Sequence, residues 1–148
     1  MKTLVIYFSQ KGKTKEAAGR IAQLSGADLA EIKTYKSYRM SYRKTVFTAL
    51  KEILLNERPE LDMEIPDISA YDRILIGSPI WCGTLPNAVF SFLDKVNLNG
   101  KKAAIFTTSG ATEPQEIAVR IKKKYPAKWC RPFNANHATD ETIISWLK

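Results

Sequence analysis

Cysteine and histidine are scarce in this chain, which has two cysteines, Cys82 and Cys130, and one histidine, His137. The cysteines lack the spacing of a metal site, and without a secretory signal a disulfide is not expected. The sequence also offers no paired carboxylates and no histidine placed to activate a nucleophile. We therefore predict no metal and no catalytic residue, and we interpret both thiols as free and His137 as structural.

Long apolar runs are absent as well. A membrane-spanning helix needs roughly 18 consecutive apolar residues, and no stretch of the sequence approaches that length. The chain opens on a strand-like segment rather than on the charged region and apolar core of a signal peptide. These features predict a cytoplasmic protein with no membrane insertion.

Acidic residues are outnumbered, since 15 Asp and Glu stand against 23 Lys and Arg, for a formal net charge of +8. This excess favours an anionic ligand or partner proteins with acidic docking surfaces. Nucleic acid is not a predicted partner, because the basic residues are dispersed along the chain and no nucleic-acid-binding motif accompanies them.

The length of 148 residues indicates one domain, 1–148, and the sequence shows no repeats or linkers. Apolar segments alternate with amphipathic ones. The predicted strands are 2–8, 28–33, 72–77, 101–108 and 128–133. The predicted helices are 13–25, one within 34–56, 85–96 with Thr84 as its N-cap, 112–124 and a last one that begins near Thr139 or Asp140. The helix within 34–56 has its apolar residues on one face, namely Val46, Phe47, Leu50, Ile53 and Leu54. Such alternation predicts an α/β fold, a doubly wound five-stranded parallel sheet with helices on both faces. The second and fifth strands mix polar and apolar residues and therefore suit the edges, which gives the strand order 2-1-3-4-5.

One segment, 5–18, has the character of an anion site. An apolar strand ends in the polar sequence Ser9-Gln-Lys-Gly-Lys-Thr14 and continues directly into a helix. Backbone N–H groups at a helix start have no intrahelical partner, and the helix dipole there favours an anion. The sequence therefore predicts a phosphate at this loop.

Two further loops are predicted at the same sheet edge. The loop 78–84 contains Trp81 between a proline and a glycine, and the loop 107–111 is short, polar and glycine-containing. In the order 2-1-3-4-5 a ligand lies at the carboxyl ends of the first and third strands. A phosphate site beside a flat aromatic side chain suits a phosphorylated planar heterocycle.

The three loops together resemble the flavodoxin family over essentially the whole chain. The run Val5-Ile-Tyr-Phe-Ser-Gln-Lys-Gly-Lys-Thr-Lys-Glu-Ala-Ala18 is similar to the first flavodoxin motif, Gly77-Ser-Pro-Ile-Trp-Cys-Gly-Thr84 to the second flavin loop, and Thr107-Thr-Ser-Gly110 to the third. The resemblance implies a short-chain, flavodoxin-like protein that binds FMN. It implies three sets of cofactor-binding residues: Ser9, Gln10, Lys11, Gly12, Lys13 and Thr14; Ser78, Pro79, Ile80, Trp81, Cys82 and Gly83; and Thr108, Ser109 and Gly110.

Within those sets, the resemblance implies that Trp81 lies against one face of the isoalloxazine. The Cys82–Gly83 peptide would lie near flavin N5. Rotation of this peptide plane costs little free energy, because glycine tolerates backbone conformations that other residues avoid. Two features depart from the family pattern. The third loop has no aromatic residue, which leaves the second flavin face open or covered by a tyrosine of the segment 35–42. The basic charge also predicts a less negative hydroquinone couple than in acidic relatives.

Three functions stay open at this point. An electron carrier of flavodoxin type, shuttling electrons between redox partners, agrees with the lack of acid–base groups. An FMN-dependent NAD(P)H or quinone oxidoreductase would use the open flavin face and the basic surface, and a module of the same fold without flavin would act through protein contacts. A P-loop NTPase is disfavoured because Tyr7 stands where its first glycine is required.

Overall fold

The computed structural model describes residues 1–38, 41–108 and 112–148, without the side chain of Tyr42. In this part of the chain the strands are β1 (Thr3–Tyr7), β2 (Asp28–Glu31), β3 (Arg73–Pro79), β4 (Lys102–Thr108), β5 (Lys128–Trp129) and β6 (Phe133–Asn134). The helices are α1 (Lys13–Ser25), α2 (Tyr42–Leu55), α3 (Asn87–Leu93), α4 (Pro114–Lys124) and α5 (Asp140–Leu147).

The sheet is parallel and has the order β2-β1-β3-β4-β5, which confirms the predicted topology. The central strands are aligned so that Tyr7 pairs with Gly77, and Gly77 pairs with Phe106. The carboxyl ends of β1, β3 and β4 therefore lie side by side. The three predicted ligand loops leave the sheet at this edge.

Side chains alternate between the two faces of the sheet, as the strand geometry requires. Leu4, Ile6 and Ile76 belong to one apolar cluster, which also contains buried aliphatic and aromatic residues of α3 and α4. Val5 and Leu75 belong to a second cluster with buried aliphatic residues of α1 and α5. Both faces of the sheet are thus covered, which explains the unbroken apolar runs of the central strands.

Two local predictions differ from the structure. The predicted fifth strand, 128–133, is divided into β5 and β6, which both pair with β4. Pro132 lies in the interruption and has no N–H to donate to a neighbouring strand. Thr84 is not the cap of the following helix, because α3 begins at Asn87 after Pro86 and the backbone of Thr84 pairs with Trp81 instead.

No helix in the described ranges is long and apolar enough to cross a membrane. Within the same ranges, no group of three or more His, Cys, Asp or Glu side chains is arranged to hold a metal ion.

Candidate cofactor-binding site

The loop between β1 and α1 presents hydrogen-bond donors at a helix start. Gly12 has a left-handed backbone, with φ of 95°, and its N–H donates to Ser9 Oγ at 3.1 Å. In contrast to Ser41 and Thr139, which cap α2 and α5, no side chain caps α1. The first N–H groups of α1 therefore stay available to an anion, together with the hydroxyl hydrogen of Ser9.

Thr14 and Thr108 join this loop to the end of β4. Their hydroxyl oxygens lie 2.7 Å apart, and both residues are buried. Because each hydroxyl has one hydrogen, one threonine donates to the other and the second keeps its own hydrogen. The pair thus fixes α1 against the sheet and still offers one donor.

Three aromatic rings contact one another beside the loop. Trp81 is half-buried, with its ring centroid 5.5 Å from that of Phe8 and 5.3 Å from that of Tyr38. The rings of Phe8 and Tyr38 also meet edge to face at 5.6 Å. This packing holds the indole in place while leaving part of it open to a ligand.

The residues Trp81 to Thr84 form a tight hairpin turn. The N–H of each end residue donates to the carbonyl of the other, at 2.8 and 3.0 Å. Cys82 and Gly83, the two central residues, have φ of 52° and 75°. Two positive φ values are the mark of a type I′ turn. This backbone is easy for Gly83 and uncommon for a residue such as Cys82.

The face that helix α2 buries against the protein is not its apolar face. Thr45, Ala49 and Glu52 are buried at helical spacing, whereas Phe47 and Leu54 are 73% and 82% exposed. The helix therefore buries small and polar residues and exposes apolar ones. Gln10 fixes its position, because the amide nitrogen donates to Tyr38 O at 2.8 Å and to Thr45 Oγ1 at 2.7 Å.

A buried carboxylate holds Tyr38 behind the indole. Glu52 Oε1 accepts hydrogen bonds from the Tyr38 hydroxyl at 2.5 Å and from Lys36 Nζ at 2.8 Å, and the Glu52 side chain is only 2% exposed. Burial first, and then the hydrogen bond to Glu52, raise the pKa of Tyr38 well above its ordinary value. Tyr38 contacts Trp81 but does not line the ligand cavity described below.

The substitution Tyr38→Phe is expected to lower the free energy of unfolding by about 2 kcal/mol, because it removes a hydrogen bond to a buried charged group. A tyrosine whose pKa is raised by folding stabilises the protein below its unfolded pKa of about 10, and this contribution is lost as the pH rises further. Urea unfolding should therefore show a constant difference between the parent and the variant at pH 7–9, and a shrinking one above pH 10.

Tyr35→Phe provides the matched control, since Tyr35 is 67% exposed and its hydroxyl has no partner among the described residues. It should change stability by no more than about 0.5 kcal/mol. Equal losses in the two variants would contradict a specific role of the Tyr38–Glu52 bond.

The loops and α2 enclose a cavity of about 370 Å³. Of the predicted cofactor residues, it brings together Ser9, Gln10, Lys11, Lys13, Thr14, Pro79, Ile80, Trp81, Cys82 and Thr108. Three residues that the sequence did not suggest, Thr45, Val46 and Ala49, also line it. Gly12, Ser78 and Gly83 do not line it. The Gly12 N–H donates to Ser9 Oγ, the Ser78 hydroxyl donates to Pro79 O, and Gly83 belongs to the hairpin turn. Ser109 and Gly110 lie outside the described residues.

Fold and cavity together define a doubly wound α/β protein with a donor-rich loop and an indole-lined cavity at the switch point of its sheet. A sequence model of the family described as Flavodoxin matches residues 2–148. The chain belongs to the flavodoxin family.

Solved structures with similar folds include flavoproteins. A protein from Bacteroides eggerthii that is assigned as a flavoprotein is 29% identical, with a TM-score of 0.91 and coverage of 99% of this chain and 95% of that one. A flavoprotein from Lactobacillus acidophilus, solved in complex with FMN, is 27% identical, with a TM-score of 0.79 and 99% coverage of both chains. Flavodoxin 1 from Bacillus cereus, at 19% identity, shares the fold with a TM-score of 0.59 over 99% of this chain and 92% of that one.

Among curated proteins, the NAD(P)H dehydrogenase (quinone) of Acidovorax ebreus is 29% identical over 120 residues, which are 73% of this chain and 56% of that protein. An uncharacterized protein of Methanocaldococcus jannaschii is 35% identical over 77 residues, 51% of each chain. The chain spans about half the length of the curated relatives it matches.

Proposed function

We propose that the chain binds FMN in the 370 Å³ cavity and carries electrons between redox partners. The observation that carries this proposal is the composition of the cavity wall. It combines an anion-binding helix start with a half-buried indole, and none of its described residues is Asp, Glu or His. The residues present therefore supply binding and electrostatics rather than acid–base catalysis.

The cavity suits FMN at both ends. Ser9, Lys11 and Lys13, with the first N–H groups of α1, would hold the phosphate. Trp81 would contact one face of the isoalloxazine, and Val46 and Ala49 leave room because their side chains are small. Membership of the flavodoxin family and the FMN complex of the Lactobacillus relative support this cofactor.

When bound, FMN supplies the one-electron and two-electron chemistry. The Trp81–Thr84 hairpin is the part of the chain that responds to it in this proposal. Rotation of the Cys82–Gly83 peptide would present its carbonyl oxygen to the proton on N5 of the reduced flavin. Gly83 makes that rotation easy because it has no Cβ.

Acidic surfaces would mark the redox partners. The chain has a net charge of +8, and Lys11 and Lys13 at the cavity are exposed to solvent. Opposite charges speed the encounter of two proteins and orient them. A partner with carboxylates around its own redox centre would therefore dock over this edge of the sheet.

A second candidate function is an FMN-dependent NAD(P)H or quinone oxidoreductase. It is favoured by the similarity to the NAD(P)H dehydrogenase (quinone) of Acidovorax ebreus. In that case the open side of the cavity would admit the second substrate next to the flavin.

The visible absorption spectrum of the purified protein, followed by an anaerobic redox titration, tests the main proposal. We expect a yellow protein, reversible reduction, and a potential for full reduction that is less negative than in acidic flavodoxins, because the positive charge stabilises the anionic reduced flavin. A potential as low as in those relatives would contradict the charge argument.

A steady-state assay separates the candidates. Continuous NAD(P)H oxidation in the presence of a quinone would favour the oxidoreductase, and its absence in a flavin-loaded protein would favour the carrier. A colourless protein that takes up no FMN on reconstitution would refute both and leave a flavin-free interaction module.

A further inference from the structure

A second and larger groove continues from the flavin cavity. It has a volume of about 890 Å³ and shares Ser9, Gln10 and Lys11 with the cavity. It lies beyond the carboxyl ends of β1 and β2, between the Ser9–Gly12 loop and the segment 31–38. This lysine groove has the size of a small-molecule site and adjoins the place where the flavin phosphate is proposed to lie.

Positive charge dominates the lysine groove. Lys11, Lys15, Lys33 and Lys36 line it, against two carboxylates, Glu31 and Asp62. Lys36 is paired with Glu52. The ammonium groups of Lys11, Lys15 and Lys33 have no hydrogen-bond or ion-pair partner within the described ranges. Three unpaired cations along one groove suit phosphate groups better than any neutral ligand.

The far wall of the groove is held in place by backbone pairing. Thr34 and Leu61 form an antiparallel bridge, flanked by hydrogen bonds from Asp62 N to Lys33 O at 2.7 Å and from Tyr35 N to Glu60 O at 3.2 Å. Lys33 and Tyr35 are thereby fixed as neighbours on an extended segment. The ring of Tyr35 is 67% exposed, which leaves it free to stack on a planar group.

Glu31 adds a hydrogen-bond acceptor at the end of β2. In doubly wound nucleotide-binding folds, an acidic residue at a comparable place binds a ribose hydroxyl. The groove therefore combines cations for phosphate, an exposed ring for a base and a carboxylate for a sugar.

We propose that the lysine groove binds the adenosine phosphate part of a dinucleotide whose other half reaches the flavin cavity. Two kinds of ligand carry this group, namely FAD in place of FMN, and a nicotinamide dinucleotide beside FMN. The link to the cavity rests on the proposed function, but the groove itself can be tested separately.

The first experiment titrates 5′-AMP into the FMN-loaded protein by calorimetry. We expect saturable binding that weakens at least tenfold in the double variant Lys15→Ala/Lys33→Ala, while the affinity of the apoprotein for FMN changes less than twofold. Lys122→Ala/Lys123→Ala removes the same charge from the exposed surface of α4 and should leave AMP binding intact. Tyr35→Ala should weaken the binding of AMP but not that of inorganic phosphate.

Several outcomes would overturn the proposal: no saturable AMP binding, equal losses in both double variants, or inorganic phosphate binding as tightly as AMP. A protein that binds AMP but takes up no FMN would refute the proposed function but not the nucleotide site in the lysine groove.

Two further titrations identify which dinucleotide carries the adenosine phosphate group. A loss of FAD affinity in Lys15→Ala/Lys33→Ala apoprotein, with FMN affinity kept, identifies FAD. A loss of NAD⁺ or NADP⁺ affinity in the FMN-loaded variant, with the FAD affinity of the apoprotein kept, identifies a nicotinamide dinucleotide. If AMP binding falls while the affinities for FAD and for the nicotinamide dinucleotides are kept, the proposed link between the groove and the flavin cavity is overturned.

Discussion

Replacing Lys11 and Lys13 together by alanine should weaken FMN binding about thirtyfold. Both side chains are exposed and line the cavity proposed to hold FMN, next to the start of α1. An exposed lysine contributes about 1 kcal/mol to holding a phosphate dianion, so that two contribute about 2 kcal/mol. Fluorescence quenching of FMN on titration with apoprotein measures the change.

Riboflavin separates the phosphate contribution from contacts to the ring. Because riboflavin has no phosphate, Lys11→Ala/Lys13→Ala should leave its affinity nearly unchanged. Added salt should narrow the difference between parent and variant for FMN, since exposed charges are screened. Equal losses for FMN and riboflavin would mean that the lysines act on the shape of the cavity and not on the phosphate.

The conformation of the loop between β1 and α1 could be predicted from sequence because its determinants are local. A buried strand, a glycine and a helix start follow one another within 5–18, and the backbone geometry of such a segment depends little on the rest of the chain. The strand order was likewise predictable, since the edge strands differ from the central ones in their polarity. The predictions of the loop and of the strand order depend only on residues adjacent in the sequence or on the pattern of polar and apolar residues in each strand.

The contribution of α2 could not be predicted in this way. Its apolar residues suggested a buried face that includes Phe47 and Leu54, but the structure exposes them. The helix is oriented instead by Gln10, which bonds Thr45, and by the buried contact of Glu52 with Tyr38. These contacts join distant segments, so that hydrophobic periodicity gives no signal for them.

The hairpin at Trp81 shows a second limit of local patterns. The sequence suggested Thr84 as a helix cap, a common role of threonine. A type I′ turn favours Asn-Gly or Gly-Gly, and Cys82-Gly83 does not have that signature. The turn is adopted because Trp81 packs on Phe8 and Tyr38, a tertiary contact that overrides the preference of Cys82.

Gly77→Ala should be the most destabilising conservative change in the sheet. Gly77 is buried in β3 and pairs with Phe106 of β4. A Cβ built on Gly77 would overlap the aromatic ring of Phe106. Overpacking of this kind lowers the free energy of unfolding by about 2–3 kcal/mol. Because β3 leads directly into Pro79–Cys82, we also expect weaker FMN binding. Urea unfolding and an FMN titration measure the two effects.

Gly19→Ala is the matched control, because a Cβ on Gly19 meets no atom within 4 Å and the residue lies inside α1. The same substitution should there raise stability by about 0.5–1 kcal/mol, since alanine favours the helix.

Phe106→Leu tests the cause of the destabilisation by Gly77→Ala. The smaller side chain frees the space that the new Cβ needs, so the second substitution should recover part of the stability lost in the first. A double-mutant cycle isolates this coupling. Equal losses of stability with and without Phe106→Leu would mean that overlap with the ring is not the cause of the destabilisation.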